Sequence, residues 1–333
     1  MKRQHHSRST AGTQRRAGVR PTVKELLHPR NRNNAPYDFP ALIERYPELG
    51  PFVFTNRFGS ISIDFASADA VRMLNTVLLR HHYGIRHWAF PADHLCPPIP
   101  GRADYLHYLA DLLAESNGGT IPRGSTVSVA DIGTGATCIY PLLGQAEYGW
   151  RFIGSETELA SVVSCRSILA ANAIPDEQIT IRHQPDPKQF FTGIINAGER
   201  IDLTMCNPPF HSSFTQATAG TKRKWKNLGT GPSADLNFGG KHHELVYPGG
   251  EVAFTTSMAT ESARFGRQVL WFTTLLSRQT TVPLLVQQLE RAGVQEVRTI
   301  PMAQGQKKSR FIAWSFLSAD ARAAWSSERW NSV

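Results

Sequence analysis

Four residues in the second half of the chain could hold a planar amino group. Asn207, Pro208, Pro209 and Phe210 directly follow Ile201–Cys206, an apolar run typical of a buried strand. The two prolines impose an extended kink without an N–H, which leaves nearby carbonyls free to accept hydrogen bonds. The Asn207 side-chain oxygen and the Pro208 carbonyl could accept both hydrogens of an exocyclic NH₂, while Phe210 stacks on its ring. The pattern predicts a catalytic loop that positions a weakly nucleophilic nitrogen and needs no strong base.

A glycine-bearing turn earlier in the chain predicts the second reactant. It follows a predicted strand and contains Asp131, Gly133, Gly135 and Thr137, the candidate cofactor-binding residues. Two glycines suit a backbone that passes close to a ligand. Cys138 stands where a dinucleotide fingerprint has its third glycine, so no pyrophosphate is implied. A nucleoside without phosphates fits better, and S-adenosylmethionine is one; a tight packing turn is the alternative.

An acid at the end of the next predicted strand completes this cofactor hypothesis. Glu156 follows Asp131 by 25 residues, where doubly wound folds place a carboxylate that binds ribose hydroxyls. The alternative is an acid that stabilises the N-terminus of the following helix.

Alternating strands and helices must position these residues. The predicted strands are 127–132, 151–155, 179–182, 201–206, 269–276, 294–300 and 311–316, and the predicted helices are 139–146, 158–173, 251–265 and 281–292. Residues 251–254 could instead open as a strand. The alternation predicts an α/β fold with a doubly wound parallel sheet and right-handed crossovers.

Three segments are expected along the chain. Residues 1–27 form a basic disordered arm, 28–100 an N-terminal subdomain, and 101–333 the catalytic domain, in which 211–248 is a substrate-binding loop or lid. Helices are predicted at Ser67–Tyr83 and Arg102–Ala114. Between them, Pro97, Pro98 and Pro100 are expected to exclude a helix and mark the boundary.

The charge distribution favours a polyphosphate partner. The net charge is +9, and residues 1–32 hold nine Lys or Arg against one acid, Glu25. A solvated tail without a partner is equally compatible with this charge. Two further clusters could grip RNA, with a solvated loop and a hairpin turn as their alternatives. Their residues are Lys222, Arg223, Lys224, Trp225 and Lys226, followed by Lys307, Lys308 and Arg310.

Several classes of protein are not expected. No run of 18 apolar residues could span a membrane, and the first 20 residues have no signal-peptide apolar core. Four cysteines occur without CxxC spacing, which indicates reduced thiols in a cytoplasmic protein and no metal site.

From His28 onward the chain resembles the bacterial 23S ribosomal RNA adenine-N6 methyltransferases, relatives of the eukaryotic enzymes that methylate a small nuclear RNA adenine. The motifs that carry the resemblance are His28-Pro-Arg-Asn-Arg, Leu95-Cys-Pro-Pro-Ile-Pro-Gly-Arg-Ala-Asp-Tyr, Asp131-Ile-Gly-Thr-Gly-Ala, Tyr148-Gly-Trp-Arg-Phe, Cys206-Asn-Pro-Pro-Phe-His, and Ala303-Gln-Gly-Gln-Lys-Lys-Ser-Arg-Phe-Ile-Ala-Trp-Ser-Phe. The arm before Leu26 has no counterpart in this resemblance.

The resemblance implies a Rossmann-like class I methyltransferase with a seven-stranded, mostly parallel sheet. It implies that Arg102 binds the methionine carboxylate, that the turn from Gly133 to Thr137 cradles the cofactor, and that Glu156 takes the ribose. Asn207 and Phe210 would hold one adenine, number 1618 of 23S ribosomal RNA. The expected partner is large-subunit ribosomal RNA or a precursor particle, bound by a monomer.

Three other functions remain open. The same loop could methylate guanine N2 of ribosomal RNA, or a glutamine side chain of a protein, although the basic clusters argue against a protein substrate. A non-enzymatic RNA-binding assembly factor is the third, which Gly133, Glu156 and Asn207 disfavour.

Overall fold

The N-terminal part of the chain folds into helices and a short β-ribbon in the computed structural model, which describes residues 27–213, 245–304 and 307–330. Its elements are α1 (Phe39–Arg45), a 3₁₀ turn (Pro47–Phe52), β1 (Val53–Thr55), β2 (Ile61–Ile63), α2 (Ala68–Tyr83) and α3 (Ile99–Glu115). The predicted helix ending at Tyr83 is confirmed as α2, and the Ser67 hydroxyl caps it by accepting from the Ala70 amide. Helix α1 was not predicted, because seven residues are too few to show a clear helical periodicity.

Helix α3 corrects the prediction made from the prolines. It begins at Ile99, three residues before the predicted start, with Pro100 in its second position. The first N–H groups of a helix have no intrahelical partner, so a missing N–H costs little there. The prolines therefore precede and open the helix, and Arg102 lies in its first turn.

A seven-stranded sheet forms the centre of the described structure. Its strands are β3 (Ser128–Ile132), β4 (Arg151–Glu156), β5 (Ile179–His183), β6 (Ile201–Cys206), β7 (Val269–Leu276), β8 (Glu296–Gln304) and β9 (Lys307–Ser315), in the spatial order β5-β4-β3-β6-β7-β9-β8. The first five run parallel, whereas β9 is antiparallel to both β7 and β8. The predicted seven-stranded, mostly parallel sheet is confirmed.

Helices cover both faces of this sheet. They are α4 (Ile139–Tyr148), α5 (Leu159–Ala171), α6 (Gly250–Ser262), α7 (Thr281–Arg291) and α8 (Ala319–Trp330). Because side chains alternate along a strand, Val129 joins the apolar layer of α3, α4 and α5, while its neighbour Ala130 joins the layer of α6 and α7. Two apolar layers on opposite faces make the sheet doubly wound, as predicted.

The C-terminal elements differ from prediction in three details. Residues 251–254 are helical, so the alternative of a strand is wrong: Phe254 and Met258 recur at helical spacing and are both buried. Strands β8 and β9 are longer than predicted and pair up to Gln304 and Lys307. Helix α8, which was not predicted, is fixed by the Trp325 indole N–H, a donor to the buried Asp202 carboxylate at 2.8 Å.

The predicted segment boundaries stay a prediction. Side chains from both sides of residue 100, such as Leu79 and Leu106, belong to one apolar cluster. Most of the predicted basic arm and of the predicted lid lie outside the described residues. Among the described helices, none is long and apolar enough to cross a membrane.

Candidate active site

A cavity of about 420 Å³ opens at the carboxyl ends of the parallel strands. It lies where the order reverses between β3 and β6, the position at which open α/β sheets bind ligands. The loops after β3, β4, β5 and β6 all contribute to its wall. Seven residues predicted for the cofactor or the catalytic loop line it, namely Arg102, Gly133, Gly135, Thr137, Glu156, Asn207 and Pro209.

The turn after β3 brings its backbone against the end of β4. Gly133 and Gly135 have positive φ angles of 75° and 68°, a region in which an L side chain is strained by about 1–2 kcal/mol. The amides of Gly133 and Thr134 both donate to the Ser155 carbonyl, at 3.0 and 2.9 Å. The glycines therefore let the turn fold back on β4 while keeping its cavity side free of side chains.

Side chains from two other elements hold the outer side of this turn. The Ser164 hydroxyl on α5 donates to the Ala136 carbonyl at 2.8 Å, and the Trp88 indole N–H donates to the Thr137 carbonyl at 2.9 Å. Trp88 lies between α2 and α3, so the N-terminal part of the chain supports the cofactor turn directly. Neither contact could be predicted from local patterns, since each joins residues far apart in the chain.

Glu156 faces the same turn from the end of β4. One carboxylate oxygen accepts from the Gly135 amide at 2.9 Å, and the other accepts from the amides of Thr157 and Glu158 at 2.7 and 3.0 Å. Each carboxylate oxygen can accept more than one hydrogen bond. Glu156 therefore fixes the turn and keeps acceptor capacity for a vicinal diol in the cavity that it lines.

Two buried side-chain atoms of opposite charge beside the cavity have no hydrogen-bond partner among the described residues. They are Nε of Arg102 and Oδ2 of Asp131; the Arg102 Nη1 donates to the Tyr140 hydroxyl at 2.8 Å. Burial raises the pKa of Asp131 to about 7. The charge of Glu156 also raises this pKa, whereas the hydrogen bond from Thr134 and the charge of Arg102 lower it.

Unpaired buried polar groups are costly, which indicates that a ligand completes this part of the cavity. A carboxylate suits the Arg102 guanidinium, and an ammonium suits the Asp131 carboxylate. The amino-acid end of S-adenosylmethionine carries both groups, so these residues fit that cofactor.

The predicted catalytic loop follows β6, the strand that neighbours β3 on the side away from β4. Asn207 and Pro209 line the cavity, whereas Phe210 is half-buried and packs against the main core. The next residue, His211, donates its amide to the Leu245 carbonyl at 3.1 Å and accepts from the Tyr247 amide at 3.0 Å. The loop is thus held between β6 and the segment before α6. Stacking of a base on Phe210 stays a prediction.

Two further segments contribute to the wall. Sequence reasoning missed Phe254 on α6 and the residues after β5, namely Gln184, Pro187, Lys188, Gln189 and Phe190. Val246, Tyr247 and Pro248 also line the cavity and belong to the predicted substrate-binding loop, residues 211–248. Glu261 on α6 anchors the segment after β5, because its carboxylate accepts from the amides of Phe190, Phe191 and Thr192 at 2.7–3.1 Å. An acid near the end of a helix gives no sequence signal for such a role.

The predicted RNA-binding clusters lie apart from this cavity or outside the described residues. Lys222 to Lys226 belong to the part that is not described. The second cluster was predicted to precede the final strand, with a hairpin turn as the alternative. The placement before the strand is wrong, because residues 307–310 are the first residues of β9 and are paired with β8. Strand pairing extends to Gln304 and Lys307, and Arg310 is half-buried opposite Pro301.

The four cysteines are buried free thiols. Burial raises the pKa values of Cys96, Cys138 and Cys206, which keeps these thiols protonated. In the described residues no group of three or more His, Cys, Asp or Glu side chains is placed to hold a metal ion.

The fold and this cavity define a class. A parallel sheet that ends in an antiparallel hairpin, with a cavity at its switch point, is typical of a Rossmann-like methyltransferase fold. Solved structures agree: the hMettl16 catalytic domain in complex with the MAT2A 3'UTR hairpin 1 matches with a TM-score of 0.74 and 28% identity, over 88% of this chain and 96% of that one. The N-terminal domain of human METTL16 in complex with SAH matches with a TM-score of 0.69 and 26% identity, over 88% and 100%.

Sequence comparison narrows the class. A family model described as RNA methyltransferase matches residues 21–318. Proteins named ribosomal RNA large subunit methyltransferase F are 54% identical in Serratia proteamaculans, over 93% of each chain, and 55% identical in Stutzerimonas stutzeri, over 92% of this chain and 95% of the relative.

The chain therefore belongs to the RNA methyltransferase family to which these relatives belong. It is an enzyme that uses S-adenosylmethionine as its methyl donor and RNA as its substrate, which confirms the predicted activity and cofactor.

Proposed function

We propose that this enzyme transfers a methyl group from S-adenosylmethionine to the N6 amino group of one adenine in 23S ribosomal RNA. The names of relatives with more than half of their residues identical support the ribosomal substrate. The resemblance of its motifs to adenine-N6 methyltransferases supports the choice of base. One structural observation carries the chemistry: Asn207 and Pro209 line the same cavity as Arg102, Gly133 and Glu156.

The proposed cofactor contacts follow from the groups around the cavity. Arg102 binds the methionine carboxylate, Asp131 faces its ammonium, and Glu156 accepts from the ribose hydroxyls. Gly133, Gly135 and Thr137 provide a backbone wall without bulky side chains. When bound, S-adenosylmethionine supplies an electrophilic methyl group on a sulfonium centre.

The chain's own contribution at the acceptor side is positioning. The Asn207 side-chain oxygen and the Pro208 carbonyl accept the two N6 hydrogens, which orients the nitrogen lone pair and stabilises its developing positive charge. Phe210 stacks on the adenine. The base must leave its helical stack to enter the cavity, so positive charge near the entrance would help to hold the displaced nucleotide.

Several further features belong to the same proposal. Lys222 to Lys226, together with Lys307, Lys308 and Arg310, contact RNA phosphates or bases, and the basic arm adds non-specific affinity. The substrate is ribosomal RNA or a precursor particle in the cytoplasm, and the enzyme acts as a monomer. Residues 28–100 form a subdomain, and residues 211–248 a substrate-binding loop.

Methyl transfer to defined RNA tests the proposal. Labelled S-adenosylmethionine is offered with protein-free 23S ribosomal RNA and with assembled or precursor subunits, and the product is identified by mass spectrometry of nucleosides. We expect N6-methyladenosine at a single position. N2-methylguanosine, or label in protein glutamine, would overturn the choice of adenine, and cofactor binding without any transfer would favour an assembly factor.

Replacing Asn207 tests the catalytic loop. Asn207→Ala should lower kcat by at least about 10³-fold, because orientation and charge stabilisation act only in the transition state. The Kd for S-adenosylmethionine should change by less than about threefold. Asn117→Ala is the matched control: its side-chain amide donates to the Thr120 carbonyl in an exposed turn that does not line the cavity, so activity should be retained. Equal activity of both variants would contradict the proposed role.

A further inference from the structure

The backbone pairing between β6 and β7 stops before the catalytic loop. Its register pairs Ile201 with Val269 and Leu203 with Trp271, and extends no further among these strands. On its other side β6 stays paired with β3 as far as Cys206. The last residues before Asn207 therefore lack backbone bonds to β7 and need another fixed support there.

Three hydroxyl groups provide that support. The Thr204 hydroxyl accepts from the Thr273 amide at 3.3 Å, and the Thr273 hydroxyl donates to the Thr204 carbonyl at 2.8 Å. The Tyr105 hydroxyl lies 2.7 Å from the Thr273 hydroxyl oxygen. Since Thr273 already gives its only hydroxyl hydrogen to Thr204, Tyr105 must be the donor in this pair.

Tyr105 reaches this point from α3 and is fully buried. Burial raises the pKa of its phenol well above the ordinary value, so it remains a neutral donor, and the Cys206 backbone also contacts it. Its ring packs between Tyr140 and Phe311, with centroids 5.8 and 5.3 Å away. A rigid ring therefore links the first turns of α3 to the last residues of β6.

The same helix carries the proposed cofactor clamp. Arg102 precedes Tyr105 by one helical turn and donates to the hydroxyl of Tyr140, whose ring packs against Tyr105. The methyl donor and the acceptor loop are thus connected through one helix. We propose that Tyr105 is a positioning residue that fixes the end of β6, and hence Asn207, relative to the bound cofactor; this inference rests on the proposed function of Asn207.

Tyr105→Phe tests it by removing one oxygen and keeping the ring. We expect kcat to fall on the order of tenfold to a hundredfold, because small displacements of reacting groups cost rates of this size. The Kd for S-adenosylmethionine should change by less than about threefold. Tyr148→Phe is the matched control, since its buried hydroxyl bonds to His107 Nδ1 at 2.6 Å and does not contact the cavity. The Tm of both variants should fall by a similar amount, but kcat should fall only in Tyr105→Phe.

Thr273→Val provides the second arm. It removes the hydroxyl between Tyr105 and Thr204 without changing the size of the side chain much, and it should reproduce the loss in kcat. Because both residues act through one network, the double variant should be scarcely slower than the slower single variant. The inference would be overturned if the rate losses of the two single variants multiply in the double variant. It would also be overturned if Tyr105→Phe and Tyr148→Phe have equal kcat at matched Tm.

The wild-type product separates this inference from the proposed function. If the product is N6-methyladenosine and Tyr105→Phe retains full kcat, the positioning role fails and the function stands. If wild-type enzyme methylates a different base and Tyr105→Phe still loses kcat selectively, the proposed adenine fails and the positioning role stands.

Discussion

Asp131 offers a prediction in which stability and cofactor binding change in opposite directions. The residue is 1% exposed, and burial raises the pKa of its carboxyl from 3.8 to about 7. An acid whose pKa is higher in the folded than in the unfolded state favours folding only while it is protonated. Stability therefore falls as the pH rises from about 4 to about 7, and the whole cost is present above pH 7.

Asp131→Asn removes this cost and keeps the shape of the side chain. A pKa raised from 3.8 to about 7 corresponds to a loss of folding free energy of about 4 kcal/mol above pH 7. The new amide also lacks partners for some of its hydrogen-bonding groups, which destabilises the folded state by about 1–3 kcal/mol. We expect the apo variant to gain about 1–3 kcal/mol at pH 8, a rise in Tm of several degrees. The gain should shrink below pH 7 and turn into a loss of about 1–3 kcal/mol near pH 4, where Asp131 is protonated and only the cost of the amide remains.

Cofactor affinity should move the other way. Without the carboxylate the ammonium of S-adenosylmethionine loses a charged hydrogen-bond partner, worth about 1.5–3 kcal/mol, so Kd should rise roughly tenfold to a hundredfold at pH 8. Thermal unfolding from pH 5 to 8 and titration calorimetry measure the two effects.

The control for this experiment is Asp202→Asn. Asp202 is equally buried, but its carboxylate is satisfied by Arg329, the Trp325 indole and the Ser128 amide. Its replacement should lower Tm without weakening cofactor binding. If Asp131→Asn also lowers apo Tm at pH 8, or leaves the Kd for S-adenosylmethionine unchanged, the reasoning about the buried Asp131 carboxylate is refuted.

Two further variants probe the cofactor wall. Glu156→Gln should raise the Kd for both S-adenosylmethionine and adenosine about tenfold, because the charged acceptor for the ribose is lost; calorimetry with adenosine that shows no change would contradict the ribose assignment. Gly133→Ala introduces a Cβ with nothing within 4 Å of it, so the variant should lose only about 1–2 kcal/mol of stability, which follows from its positive φ. The Kd for S-adenosylmethionine should rise by a larger factor than in Gly154→Ala. Gly154→Ala should do the reverse, since its Cβ would lie 2.6 Å from Thr134 Oγ1; equal effects of the two variants on Tm and Kd would count against this view of the turn.

The local patterns of the chain predicted most elements of the catalytic fold. Strands such as Ile201–Cys206 and Val269–Leu276 match their predicted bounds, because an apolar run between turn residues is a local property. The errors fell where local rules leave a choice. Pro100 could end or open a helix, and residues 251–254 could form a strand or a helix until packing against the sheet decided.

What the sequence determined by itself was therefore the chemistry of separate pieces: a glycine turn without a third glycine, an acid after the next strand, and an Asn-Pro-Pro-Phe loop that can bind an amino group. Residue types and short spacings fix such properties. The tertiary structure decided which pieces meet. Only the strand order brings Glu156 to the Gly135 amide and Tyr105 to Thr273, because contacts between residues 21 to 168 positions apart depend on how the sheet is assembled rather than on any local pattern.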